Sequence, residues 1–174
     1  MRRVGPSKSI ALMIVLLVAA CAAAEEPIDE MAIFEPLLGS AWVGRFRDPS
    51  APQVDHVIEW STILDGQVVR WSKGVDALGF EMETTFYWDR ELATVRFIQF
   101  ASNGVHAQGT ARTEEGALVL LGVSEQPSGS FEFRQTFEIL ADGTLEDRYF
   151  RRAGDAWAPQ HVISYDRARE EDHE

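Results

Sequence analysis

From Gly39 onward the apolar residues recur with a period of two rather than 3.6. Phe80, Met82, Thr84, Phe86 and Trp88 fall on one side of an extended segment, and Glu81, Glu83, Thr85 and Tyr87 fall on the other. The same alternation sets Phe131, Phe133, Phe137 and Ile139 against Glu132, Arg134, Thr136 and Glu138. Runs of this kind, rich in β-branched and aromatic residues, predict ten strands: 41–47, 54–62, 67–74, 79–89, 92–101, 104–112, 117–124, 130–140, 144–152 and 156–165. Only Ile28 to Leu38, with apolar residues at 28, 31, 33, 34, 37 and 38, has helical spacing, and it predicts a turn or two of helix across one end of the domain.

The residues between the runs set the topology. Asp65-Gly66, Asn103-Gly104, Glu115-Gly116, Ser128-Gly129 and Asp142-Gly143 each separate two β-rich runs, and glycine in these pairs supplies the positive φ that tight hairpins need. Consecutive hairpins make a meander. A ten-stranded meander hides its edges best by closing into an antiparallel up-and-down β-barrel, with a two-sheet sandwich as the alternative. The span 31–167 is one core's worth of chain.

Ring-bearing faces pointing inward give either a filled core or a cavity walled for an apolar ligand. Eight strands can just be filled by side chains, so ten favour a cavity. Its candidate walls are Trp71, Met82, Phe86, Trp88, Phe97, Phe133 and Phe137. Two strands mix polar and small residues on both faces. If the polar set turns inward, His106 and Arg112 from one, and Tyr149 and Arg151 from the other, could orient a carboxylate or carbonyl head group. The alternative is that these long polar side chains decorate the solvent side.

The opening of the domain, Leu37-Leu38-Gly39-Ser40-Ala41-Trp42-Val43-Gly44, resembles that of the calycins, the superfamily of lipocalin-like barrels, and of bacterial barrels that begin with Leu, Gly and Trp after a short helix. A lipocalin has one residue between Gly and Trp, and this chain has two. The resemblance implies that Trp42 closes the barrel base beneath an arginine near the end of the last strand, for which Arg167 in Ser164-Tyr165-Asp166-Arg167 is the match. Nitrobindin-like haem barrels also start with Leu-Leu-Gly and Trp and use a histidine as axial ligand. His161 is the residue that a likeness to them would make the haem ligand.

The first 21 residues follow another pattern: Arg2, Arg3 and Lys8, an apolar run from Ile10 to Ala20, then Val18-Ala19-Ala20-Cys21. This resembles the bacterial lipoprotein signal, with Val18 where leucine is commonest. The likeness implies cleavage after Ala20, acylation of Cys21, and an envelope protein held on a bilayer by its lipid, in the outer membrane or on the periplasmic face where the host has two membranes. An apolar run of about eleven residues falls short of the ~20 that span a bilayer as a helix. Residues 21 to 30 then read as the anchor and a tether, and 168 to 174 as a charged tail.

Charge and composition narrow the chemistry. The whole chain carries a formal charge of −12. Without residues 1–20 it has 13 basic residues against 28 acidic ones, which disfavours nucleic acid as a partner. Cys21 is the single cysteine, so the domain has no disulfide, thiol nucleophile or cysteine metal site. His56, His106, His161 and His173 lack metal-ligand spacing, no Gly-x-Ser-x-Gly elbow occurs, and the pattern implies no cofactor. Asp55 with His56, and Asp166 with His161, are the dyads left to weigh. The expectation is a lipid-anchored binding barrel for a small, largely apolar ligand. A non-enzymatic lipoprotein with a filled barrel, working through its surface, is the alternative; a barrel enzyme is a third.

Overall fold

Ten strands form in the computed structural model, which describes residues 29–168. They are β1 (Ala41–Phe46), β2 (His56–Ile63), β3 (Val68–Val75), β4 (Phe80–Asp89), β5 (Thr94–Ala101), β6 (His106–Glu114), β7 (Ala117–Gln126), β8 (Gly129–Ile139), β9 (Leu145–Ala153) and β10 (Ala156–Arg167). Each pairs antiparallel with its sequence neighbour, and β1 pairs with β10, so the sheet closes on itself in an up-and-down barrel. Closure leaves no free strand edge, the hazard an open meander would carry. The two-sheet sandwich is thereby excluded. The signal-like segment, Cys21 and the end of the tail lie outside the described residues.

Turn chemistry accounts for the hairpins. At Glu115-Gly116 both residues have positive φ, 51° and 88°, the backbone of a type I′ turn whose twist matches the strands it joins. At the β5–β6 connection Asn103 Oδ1 instead accepts the Val105 amide at 3.1 Å, closing the turn with a side chain. One register shift interrupts the ladders, in β10 between Pro159 and His161. Proline has no amide to donate there, and the irregularity re-aims the residues that follow.

The predicted helix is a 3-10 helix, Asp29–Phe34, followed by turns to Gly39. Met31, Phe34 and Leu37 are buried, and Phe34 packs its ring 4.7 Å from that of Phe86 and 5.9 Å from that of Trp60. The Gly39 amide donates to the Trp60 carbonyl at 3.1 Å, tying this segment across one end of the barrel. We call this the closed end. The opposite mouth is framed by the β1–β2, β3–β4, β5–β6, β7–β8 and β9–β10 connections.

The closed half of the lumen is solid. Trp60 stacks on Trp71 with centroids 5.3 Å apart, and Phe137 meets both rings edge-on at 5.3 and 4.9 Å. Phe86, Phe97 and Phe133 continue the series at 5.9 and 6.1 Å. Tilted and edge-to-face pairs at these separations are favourable beyond the area they bury. Of the residues expected to wall a cavity, Trp71, Phe86, Phe97, Phe133 and Phe137 therefore fill one another's space, and Trp88 packs half-buried against the same cluster. Trp42 is fully buried at this end, with the Arg167 guanidinium 4.9 Å from its ring centre.

Candidate functional site

The mouth half of the lumen has a different lining. Inner-facing positions of β8, β9, β10, β2 and β3 bring Gln135, Asp147, Tyr149, His161, His56 and Lys73 together, while Phe80, Met82, Ala101 and Ala107 from β4, β5 and β6 face them. The first set is polar; the second is mainly apolar, but Thr84, Gln99 and Ser124 share its inner face, with the Thr84 hydroxyl donating to Gln99 Oε1 at 3.4 Å. His56, Lys73, Gln135 and Asp147 are buried and form the floor of a funnel. Phe46, Phe80, Ala101, Phe131, Tyr149 and His161 keep partial exposure above them, and Arg151 at the rim is exposed.

Each floor residue sits where strand alternation puts it. In β3, Lys73 follows Val69 and Trp71 and precedes Val75 on the inner face, and all four are buried. In β2, His56 shares its face with Ile58 and Trp60. In β9, Asp147 and Tyr149 alternate with Glu146 and Arg148, which point outward, and Arg47 reaches over the outer wall to Glu146 at 2.5 Å.

Hydrogen bonding on the floor is incomplete. Gln135 Nε2 donates to Asp147 Oδ1 at 2.8 Å, but Asp147 Oδ2, both ring nitrogens of His56 and the Tyr165 hydroxyl are buried without a partner. Among the described residues no hydrogen bond or ion pair holds the Lys73 amine, and Asp147 on the far side of the lumen is its electrostatic counterpart. Buried groups left in this state cost about 1–3 kcal/mol each, more when charged. The indole nitrogens of Trp42, Trp60 and Trp71 in the packed half are also unpartnered, but only the group toward the mouth includes an acceptor and titratable side chains.

Burial sets the protonation of the cluster. Desolvation lowers the Lys73 ammonium from its ordinary value and raises the Asp147 carboxyl, and their mutual attraction opposes both shifts. His56 is pushed down to about 4, first by burial and then by Lys73. His161 falls to about 4 by burial, with Lys73 and His56 adding to the shift. Both imidazoles are therefore neutral at pH 7. Burial also raises the Tyr149 phenol to about 12, so it remains a hydrogen-bond donor at the same pH. Its ring is stacked between Phe133 at 5.4 Å and His161 at 5.2 Å, and Phe46 meets His161 and His56 edge-on. Over the rim, the Arg151 guanidinium lies 4.0 Å from the centre of the Phe131 ring.

Other residues singled out from the sequence lie elsewhere. His106 and Arg112 turn outward rather than into the lumen, because Ala107 and Ala111 take the inner face of β6. His106 pairs on the surface with Glu125 at 3.0 Å, and the Arg112 Nε donates to Glu114 at 2.7 Å. Met82 faces the funnel beside Lys73 in the register. Neither dyad forms: Asp55 is bonded outside to Arg45 at 2.6 Å while His56 points in, and Asp166 is exposed while His161 lines the lumen. No group of three or more His, Asp or Glu among the described residues is arranged to hold a metal ion.

Sequence reasoning weighed His56 only as a partner for Asp55, and it missed Lys73 and Gln135. A signal that His56 and Lys73 face the lumen was present, since each occupies a period-two position within an otherwise apolar face. The grooves described lie outside the lumen: about 960 Å³ along Val43, Arg45, Asp166 and Arg167, about 620 Å³ beside Gln53, Val54 and Asp76, and about 540 Å³ beside the closing helix. None of the three gathers buried, unpaired polar atoms as the funnel floor does.

No protein-family model and no curated protein matches the sequence. Among solved structures the chain is similar to Rv2717c from M. tuberculosis. That likeness has a TM-score of 0.52 at 14% identity and covers 83% of this chain and all of that one. At such identity the likeness is one of fold, a barrel of the same kind.

Proposed function

We propose that this barrel binds a small amphipathic molecule in its mouth half, apolar body against Phe80, Met82, Ala101 and Ala107 and polar head on the floor. One observation carries the reading: buried polar groups of both hydrogen-bonding kinds, unmet by the protein, converge at the base of a funnel whose opposite wall is mainly apolar, its Thr84 and Gln99 already bonded to each other. Lys73 and the Tyr149 hydroxyl supply donors for a carboxylate or carbonyl head, and neutral His56 can donate or accept. Arg151 at the rim would meet an anionic group on its way in.

The test is a titration of the full-length chain with decanoic acid and with decanol, followed by tryptophan fluorescence and native mass spectrometry. Saturable one-to-one binding of both is expected. Arg151→Ala should slow association of the acid more than of the alcohol. Flat titrations with both would overturn the reading.

A second reading has its own observation. His161 stands on the inner face with a partly accessible ring on an aromatic bed, as an axial ligand to haem would need. Haem would add iron redox and diatomic-gas chemistry, and Lys73 and Arg151 are the cations suited to its propionates. A Soret band lost in His161→Ala would support it, and a flat haem titration would exclude it.

The lipoprotein-like start belongs to the same proposal. Cys21 precedes the closing helix by eight residues, so a lipid there would tether the barrel by its closed end and leave the mouth free. Two or three acyl chains hold far more firmly than one.

A further inference from the structure

Fourteen arginines and two lysines make up the basic residues of the chain, and Lys73 is the single lysine among the described residues. The exposed positive positions of the barrel are arginines, whereas the amine faces the lumen and is 9% exposed. We propose that Lys73 captures an aldehyde or ketone group of the lumen's guest as a reversible imine. This rests on the reading that the lumen takes a small amphipathic guest, and it names the functional group that guest carries.

Residue type is the first argument. Arginine satisfies an anion better than lysine does and cannot shed its proton, so a barrel needing only a buried cation opposite Asp147 had the alternative it uses everywhere else. Lysine, unlike arginine, becomes a nucleophile able to form an imine when its surroundings favour the free amine. Surroundings are the second argument. Among the described residues no hydrogen bond or ion pair holds the amine, Val75 on its own strand and Met82 opposite it in the register are apolar, and neutral His56 adds no counter-charge. Asp147 faces it from the other wall, near enough to influence it and too far to lock it in a salt bridge. Burial pushes the amine toward its neutral form, and at neutral pH the free-base fraction rises about tenfold for each unit by which the pKa falls.

The step balances without an oxidant or reductant. The ammonium gives one proton to the Asp147 carboxylate or to solvent at the mouth, and the amine lone pair attacks the carbonyl carbon. A C–N bond forms, the C–O π bond opens, and transfer of a proton from nitrogen to oxygen yields the carbinolamine. Protonation of its hydroxyl by the acid then expels water as the nitrogen lone pair forms the C=N bond. Amine, carbonyl compound and one proton become a protonated imine and one water, and the imine's charge stands opposite Asp147. Hydrolysis runs the same path backward and frees the guest.

The experiment uses the full-length chain with decanal and cyanoborohydride at pH 7, read by intact mass and peptide mapping, with decanol binding measured on the same sample. The earliest adduct is expected at Lys73, formed about tenfold faster than the one at Lys8; Lys8 and the amino terminus are the other primary amines of the sequence. Excess decanol should suppress labelling at Lys73 and leave the other two unchanged. Decanol binding without a Lys73 adduct would overturn the imine and leave the binding reading standing, with Lys73 a mere counter-charge to Asp147. Absence of both decanol binding and adduct would overturn the two together.

Discussion

Lys73 and Asp147 are the residues on which the account turns, because neither charge has a place in a barrel core unless the other, or a guest, answers it. Lys73→Met deprives the buried Asp147 of the cation that favours its charged form, so it should cost about 1 kcal/mol of stability. The double variant Lys73→Met with Asp147→Asn should recover most of that loss in urea unfolding, and additive losses would show that the two do not interact. The histidines predict a pH dependence. His56 and His161 bind protons near 6.5 when unfolded and near 4 when folded, so between these values the unfolded chain holds more protons. Stability should therefore fall as pH drops from 6.5 to 4, more shallowly in His56→Phe. Imidazole resonances that titrate near 6.5 in the native state would contradict this assignment.

At the scale of elements, the closing helix and the β6–β7 hairpin are where packing tolerates least. Phe34 is fully buried against Phe86 and Trp60, so Phe34→Ala should destabilise by about 3–5 kcal/mol, measured by thermal or urea unfolding. Gly109 and Gly122 are register partners, and a Cβ on Gly122 would sit 2.6 Å from the Gln108 carbonyl oxygen and 2.8 Å from Phe97. A Gly122→Ala variant should lose about 1–3 kcal/mol, and an unchanged unfolding midpoint would mean that β6 and β7 can part without cost. The strands themselves were legible in the sequence because alternation and turn dipeptides are local signals: ten runs were predicted and ten formed, with ends shifted by a few residues. Facing was legible where rings alternate with charges, as in β4. It was ambiguous in β6, where alanine and glycine carry too little apolar weight to declare the inner face. Lys73 and His56 were hidden for the converse reason, since polar residues within an apolar face read as interruptions until closure brings them across from Asp147.

The whole molecule is a cylinder with two unlike halves, one sealed by the closing helix and packed with rings, the other a funnel with one polar wall. Its outer surface also carries apolar residues, with Ile98, Phe100 and Val123 exposed on β5 and β7, the two strands that flank β6, and Phe100 the most open of the three at 63%. If the chain is anchored as its first residues suggest, Cys21→Ala should move it from membrane to soluble fractions, and an unchanged distribution would remove the lipid from the account. The measurement that bears most directly on the central claim is NMR mapping of decanoic acid on the isotope-labelled full-length protein. The account predicts saturable shifts at the Met82 methyl, Ala107, the Lys73 side chain and the His161 ring, with Ile98, Phe100 and Val123 unmoved. Shifts confined to those outer residues, with the funnel silent, would contradict it.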